Sequence, residues 1–218
     1  MIDFGRARDH MVDSQLHTGG VTEPRILVRM RALARENYVP SARRDVAYVD
    51  DIHWFGGRFT SRFMAAPATL ARLLQLAEVG PADTVLDIGI ATGYSTAVIA
   101  GLAASVVGVE SDAGLAALAM DNLAADNIEN ARVISGPVGL LGKARFDVVV
   151  VQGALAEVPR DFIAALKEGG RLVALIGNGG VPVANVFVKA AGEITARPEF
   201  DAALPPLFSD RPEEVFVF

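Results

Sequence analysis

Two acids and two glycines carry the plainest chemistry in this chain of 218 residues. In "VLDIGIATGYSTAVIA", Val85 to Ala100, an apolar run ends in Asp87, passes Gly89 and Gly93, and resumes in residues that favour a helix. Twenty-one residues after Gly89, a second apolar run ends in Glu110. Glycines at such a bend let the backbone turn tightly and approach a ligand with no Cβ in the way, while a helix starting near Tyr94 turns free N–H groups toward the same place. An acid closing the second strand can accept hydrogen bonds from both hydroxyls of a ribose. The pattern therefore points to a nucleoside derivative.

Elimination narrows which one. The dinucleotide fingerprint needs G-x-G-x-x-G, but from Gly89 the other two glycine positions hold Ala91 and Tyr94, and no Gly-Lys-Ser/Thr follows to make a phosphate loop. What remains is an acid-x-Gly-x-x-x-Gly turn. A carboxylate at Asp87 suits a cation, such as the ammonium of an amino-acid moiety, better than a pyrophosphate. A ribose at one end and an ammonium at the other describe S-adenosylmethionine.

The elements that would position these residues follow from periodicity. From Pro67 the chain alternates: a helix over 67–79, the strand "TVLDIG", a helix from Tyr94, the strand "SVVGVE", a helix over 112–125, "ARVIS", "FDVVVVQ", a helix over 159–167 and "RLVALIG". Strands alternating with helices of about ten residues predict an α/β, doubly wound, mostly parallel sheet. The tail, "VPVANVFVKAAGEITARPEF" and "EEVFVF", predicts two or three antiparallel edge strands, and "GNGG" at 177–180 a hairpin turn. Ahead of this domain, residues 1–66 form an N-terminal helical and loop extension, expected to be one compact unit with 67–218. Residues 4–35 read as two helices split by "HTGGVTEP"; Ile26, Leu27, Met30, Leu33 and Ala34 share one face, and Thr22-Glu23-Pro24 supplies a helix start. The segment over 36–67 is polar, turn-rich and without clear pattern.

Composition bounds the rest. An apolar content of 51% supports a sizeable core, and the absence of cysteine excludes disulfides, thiolate metal sites and cysteine nucleophiles. The net charge of −6 gives no overall pull toward nucleic acid or anionic lipid, although residues 1–44 carry +3 against −9 for the remainder. The first thirty residues interleave charges and lack the apolar core of a signal peptide, so a cytoplasmic protein is expected. Ile88 to Val109 runs without a charge, but its glycines and hydroxyls mark a buried α/β interior rather than a membrane span. Asp50, Asp51 and His53 are too close in sequence to converge on one ion, and no metal site is expected.

The opening stretch resembles the first motif of the protein-L-isoaspartate O-methyltransferases, a family of Rossmann-like S-adenosylmethionine-dependent enzymes. "MVDSQL", "VTEPRILVRMRALARENYVP", "FDVVVVQGALAEVP" and "LKEGGRLVALIG" resemble further family segments in the right order. The resemblance implies methyl transfer from S-adenosylmethionine, with S-adenosylhomocysteine as product, to isoaspartyl carboxylates of damaged proteins, a protein-repair role without nucleic-acid or membrane partners. It places Asp87, Gly89, Ala91, Gly93, Tyr94, Glu110, Gly136 and Pro137 at the cofactor, and Thr60, Ser61, Ala65 and Gln152 at the acceptor.

Departures from the family pattern fall around the acceptor. Where the family has Gly-Gln-Thr-Ile-Ser-x-Pro, with its serine at the reacting carboxylate, this chain reads "SRFMAAP": Arg62 replaces the glutamine and Ala65 the serine. Thr60 and Ser61 offer hydroxyls nearby. Arg62 either binds an acidic acceptor or pairs with a neighbouring acid. Pro137 stands where an acid usually meets the adenine amino group, Ala91 replaces a glycine, and Gln152-Gly153 replaces Thr-Ala. Two alternatives stay open: a methyltransferase acting on another peptide or small molecule, and a module that holds the cofactor or its product without turnover.

Overall fold

The computed structural model describes residues 2–55, 62–177 and 179–208. Its centre is a seven-stranded sheet in the order β5-β4-β3-β6-β7-β8-β9. The strands β3 (Thr84–Ile88), β4 (Ser105–Glu110), β5 (Ala131–Ser135), β6 (Phe146–Leu155) and β7 (Leu166–Ile176) run parallel. Two antiparallel strands, β8 (Val183–Ala190) and β9 (Glu193–Asp201), extend one edge as predicted. Asn178, within the predicted hairpin turn, and "EEVFVF" lie outside the described residues.

The inner strands read as continuous apolar runs because both sheet faces are covered. Val85, Val148, Val150 and Val173 point into one buried cluster, and Leu86, Val107, Val149 and Leu172 into another. The first cluster is shared with the N-terminal elements: Met11, Leu16, Ile26 and Met30 pack in it beside Leu70 and Leu74 of helix α3 (Pro67–Ala77), so residues before 67 and the sheet bury apolar surface together. The uncharged stretch from Ile88 to Val109 divides into a strand end, helix α4 (Tyr94–Ala100) and β4. Among the described residues no helix is long and apolar enough to cross a membrane.

Three sequence expectations need correcting. The helix predicted over 159–167 is the short α6 (Arg160–Ala164), because the Phe146 N–H donates to the Ala165 carbonyl and Leu166 already pairs with Phe146, so β7 begins at once. In the N-terminal region α1 (Phe4–Met11) continues as a single π turn over Val12–Leu16, and α2 (Pro24–Ala32), capped by Glu23, stops at Leu33, whose backbone is extended. The patternless segment over 36–67 holds a 3-10 turn at Ser41–Val46 and the antiparallel pair β1 (His53–Phe55) and β2 (Arg62–Met64). Strands of three residues are too short to reveal alternation in sequence.

What positions the site is the place of β3. It pairs with β4 on one side and β6 on the other, and the chain leaves these strands toward different flanks, which opens a crevice at their carboxyl ends. Asp87 lies beside Gly108 and Val150 in this register, one residue from the crevice floor.

Candidate active site

Asp87 is wholly buried, and its two oxygens are spoken for by neutral donors. Gln152 Nε2 donates to Oδ1 at 2.7 Å, while the hydroxyls of Ser95 and Thr96 donate to Oδ2 at 2.6 and 2.8 Å. Among the described residues no cation pairs with it. Burial pushes its pKa up to about 6, against the pull of the three donors. The expectation that Asp87 faces the crevice therefore needs refining, since its carboxylate sits one layer below, reached through Gln152 and Ser95. Those two side chains line a narrow pocket with Phe63, Met64, Ala65 and Ile90. Gln152, placed at the acceptor by the family resemblance, is thus a buried partner of Asp87 on the floor of that pocket.

Glu110, also wholly buried, is the hub of the neighbouring strand end. Its Oε2 accepts the Ala91 N–H at 2.8 Å and its Oε1 the Asp112 N–H at 3.0 Å. Arg62 reaches the same Oε1 through Nε at 2.8 Å and Nη2 at 2.6 Å. Of the two roles open for Arg62, the structure shows the ion pair with a neighbouring acid.

The glycines divide the work. Gly89 has φ +80 and its open side faces the crevice. Gly93, at φ +91, is different: a Cβ there would lie 3.1 Å from that of Ala119 on α5 (Ala113–Ala125), so its bareness lets α4 and α5 pack closely. Ala91 adopts the left-handed conformation at φ +49 and is buried in the core cluster. Tyr94 also departs from expectation. Its ring is buried against Tyr38 at 5.4 Å between centroids and under the Arg35 guanidinium at 4.7 Å, because the first residue of α4 faces the N-terminal elements. Ala91, Gly93 and Tyr94 are not among the residues lining the two cavities beside Gly89.

Beside Glu110 a cavity of about 350 Å³ opens, mostly apolar, lined by Gly89, Val109, Gly136, Pro137, Phe162 and Leu207 among others. Gly136 and Pro137, expected at the cofactor, line this cavity. Two lining residues that sequence reasoning did not single out are Asp161, in the first turn of α6, and Leu207, which packs over Gly89. Ala65 is buried, and its carbonyl accepts from Arg35 Nη2 at 2.8 Å. Thr60 and Ser61 lie outside the described residues. The trio Asp50, Asp51 and His53 diverges: Asp50 takes the Ala68 N–H, Asp51 the Ile52 N–H, and His53 is buried in the core.

A sequence model of the protein-L-isoaspartate(D-aspartate) O-methyltransferase family, PCMT, matches residues 6–211. The chain belongs to that family. Its similarity to the protein-L-isoaspartate O-methyltransferase of Koribacter versatilis is 33% identity over 210 residues, 95% of this chain and 93% of that one. The Methanoculleus marisnigri protein of the same name is 33% identical over 204 residues, 93% of this chain and 91% of its own. Among solved structures, a candidate family member from Plasmodium falciparum, in complex with S-adenosyl-L-homocysteine, superposes with a TM-score of 0.79 at 20% identity, covering 92% of this chain and 98% of that one. The PCMT fold is thus shared well beyond the range of close sequence similarity, and in this PCMT chain the fold's crevice holds Gly89, Glu110 and, one layer down, Asp87.

Proposed function

We propose that this chain transfers a methyl group from S-adenosylmethionine to the free carboxylate of isoaspartyl residues in damaged proteins. The observation that carries the reading is the charge pattern at the carboxyl ends of β3 and β4, in a chain that belongs to the family by its match over residues 6–211. Asp87 is a buried carboxylate with three neutral donors, and the ammonium of the cofactor is the positive charge its surroundings lack. Glu110 closes β4 where a ribose diol needs an acceptor. The apolar cavity between Pro137 and Phe162 suits a flat base. Bound there, the cofactor would supply an electrophilic methyl group.

The protein's own contribution is placement. A carboxylate acceptor is ionised and nucleophilic at neutral pH, so no general base is needed; the narrow pocket beside Ala65 and Gln152 has to hold the acceptor in line and keep water out. Ala65 brings no side-chain hydroxyl to that pocket, so the hydrogen bond a serine would give the acceptor there is lost. The deciding experiment supplies radiolabelled S-adenosylmethionine with an isoaspartyl peptide and its aspartyl isomer. Base-labile methyl ester on the isoaspartyl peptide alone is expected; label on neither, with the cofactor bound, rejects this acceptor.

A second reading, another acceptor in the same pocket, is favoured by one feature: Phe63, Met64 and Ala65 give it an apolar wall. Screening the label against apolar carboxylates separates the two.

A further inference from the structure

Part of the crevice is taken up by the chain itself. Arg62 gives two donors to one oxygen of Glu110, a third contact to Ser111 Oγ at 3.0 Å, and its Nη1 to the Leu207 carbonyl at 3.0 Å. Leu207 is fixed along β6, where its N–H donates to Ala154 O at 2.9 Å and the Ala154 N–H donates to Pro205 O at 2.9 Å. From that position its side chain fills the space over the open side of Gly89. A Cβ built on Gly89 would lie only 2.3 Å from Leu207 Cδ1, and one on Gly153 2.9 Å from Leu207 Cβ. Two features that sequence reasoning assigned to a nucleoside, the bare side of Gly89 and an oxygen of Glu110, are thus both occupied, and one arginine ties the occupants together.

We propose that Arg62 sets the affinity of this site for its nucleoside ligand, as a clasp that joins Glu110 to the segment carrying Leu207 and opens when ligand binds. The inference rests on the proposed cofactor reading. A ribose diol donates to a carboxylate as a guanidinium does, so the two compete for Glu110 Oε1. The competition is unequal at first, because the guanidinium is charged and delivers two bonds in fixed geometry while each hydroxyl is neutral. The ligand must therefore replace the Arg62 contacts and displace Leu207 before its own contacts form, and the fraction of molecules with the clasp open scales the apparent affinity directly. A neutral residue at position 62 removes the competitor and the tie to Leu207 together. Leu207→Ala tests the other half, since it clears the space over Gly89 and leaves the Glu110 pair in place.

Calorimetry with S-adenosylhomocysteine, which binds without turnover, reads the effect on the full chain. Arg62→Gln is expected to tighten binding about 10- to 100-fold, Arg62→Lys less, since it keeps charge without the fork, and Leu207→Ala about 10-fold. Hydrogen exchange supplies a readout independent of substitution: the Leu207 amide of the unaltered protein should lose protection when S-adenosylhomocysteine is added. Should the unaltered chain bind while all three variants bind equally well and Leu207 protection holds, the clasp is wrong and the cofactor reading stands. Absence of binding at millimolar ligand in every form, Arg62→Gln and Leu207→Ala included, removes the cofactor reading itself. If Arg62→Gln fails to fold because Glu110 is stranded, Leu207→Ala and the exchange measurement decide.

Discussion

Gln152 reaches across from β6 to β3 and donates to Asp87 at 2.7 Å, so the side chain at the mouth of β6 and the carboxylate buried in β3 behave as one unit. The pair explains how a carboxylate without a cationic partner survives in the core. Three hydrogen bonds to a charged acceptor offset part of its desolvation. It also predicts that Gln152→Leu costs about 1–3 kcal/mol in urea unfolding at pH 8, by leaving Oδ1 buried and unpaired. At pH 5 Asp87 is protonated and the lost bond no longer serves a charge, so the cost shrinks. An equal cost at both pH values would mean that the pair is a packing contact only.

The raised pKa of Asp87, about 6 in the fold against 3.8 for the free group, has a definite sign. The folded state holds this proton more tightly than the unfolded chain, so the group favours folding at low pH, and that advantage is lost as pH rises through 6. It amounts to at most about 3 kcal/mol. Ligand binding runs the other way. An ammonium seated near Asp87 needs the ionised form, so affinity for S-adenosylhomocysteine is expected to fall about tenfold between pH 7 and pH 5. Calorimetry at the two pH values checks it, with Asp87→Asn as the pH-independent control; a flat profile in the unaltered protein places the ammonium elsewhere.

Asp161 brings a carboxylate to the cavity that Gly136 and Pro137 line. If the adenine of the proposed cofactor lies there, Pro137 has no side-chain acceptor to offer its exocyclic amine, and the Asp161 carboxylate from α6 is expected to take that place. Asp161→Ala should weaken S-adenosylhomocysteine about tenfold, the scale of one hydrogen bond to a charged group, while leaving the melting temperature within a degree or two. Comparison with the inosine analogue, which lacks the amine, tests the assignment: the variant should bind both equally.

His53 is buried, and desolvation together with the nearby Arg35 guanidinium pushes its pKa down to about 4. The unfolded chain takes up this proton near pH 6.5 and the folded protein resists it, so the contribution is present above 6.5 and lost as pH falls through 4. The loss is at most about 3 kcal/mol. Asp87 works in the opposite direction over part of the same range, so the two must be separated by variants. His53→Phe should flatten the acid limb of the stability curve measured by urea unfolding between pH 4 and 7; an unchanged limb points to other groups.

How much of this was legible in sequence differs residue by residue. The strands around Asp87 and Glu110 were plain because a doubly covered sheet imposes long apolar runs ending in an acid, a local signal that needs no partner to be seen. Gly136 and Pro137, which line the cavity, were singled out by resemblance alone. Ser95 and Thr96 were within reach of inspection, being hydroxyls in the first turn of the helix after the glycine bend. Their direction was not, because the same two residues serve a ligand or a neighbour depending on where β3 lies.

What the sequence determined by itself is the α/β alternation, the family, and which strand ends carry acids. These depend on local periodicity and on motifs a few residues long. Only the tertiary structure decided what those acids hold. Arg62 and Glu110 are 48 positions apart and Gly89 and Leu207 far more distant, and their meeting depends on sheet order and on the path of the last described residues over β6. Hydrogen bonds and packing act over a few ångströms in space, and the chain's order says nothing of that distance until the sheet has been assembled.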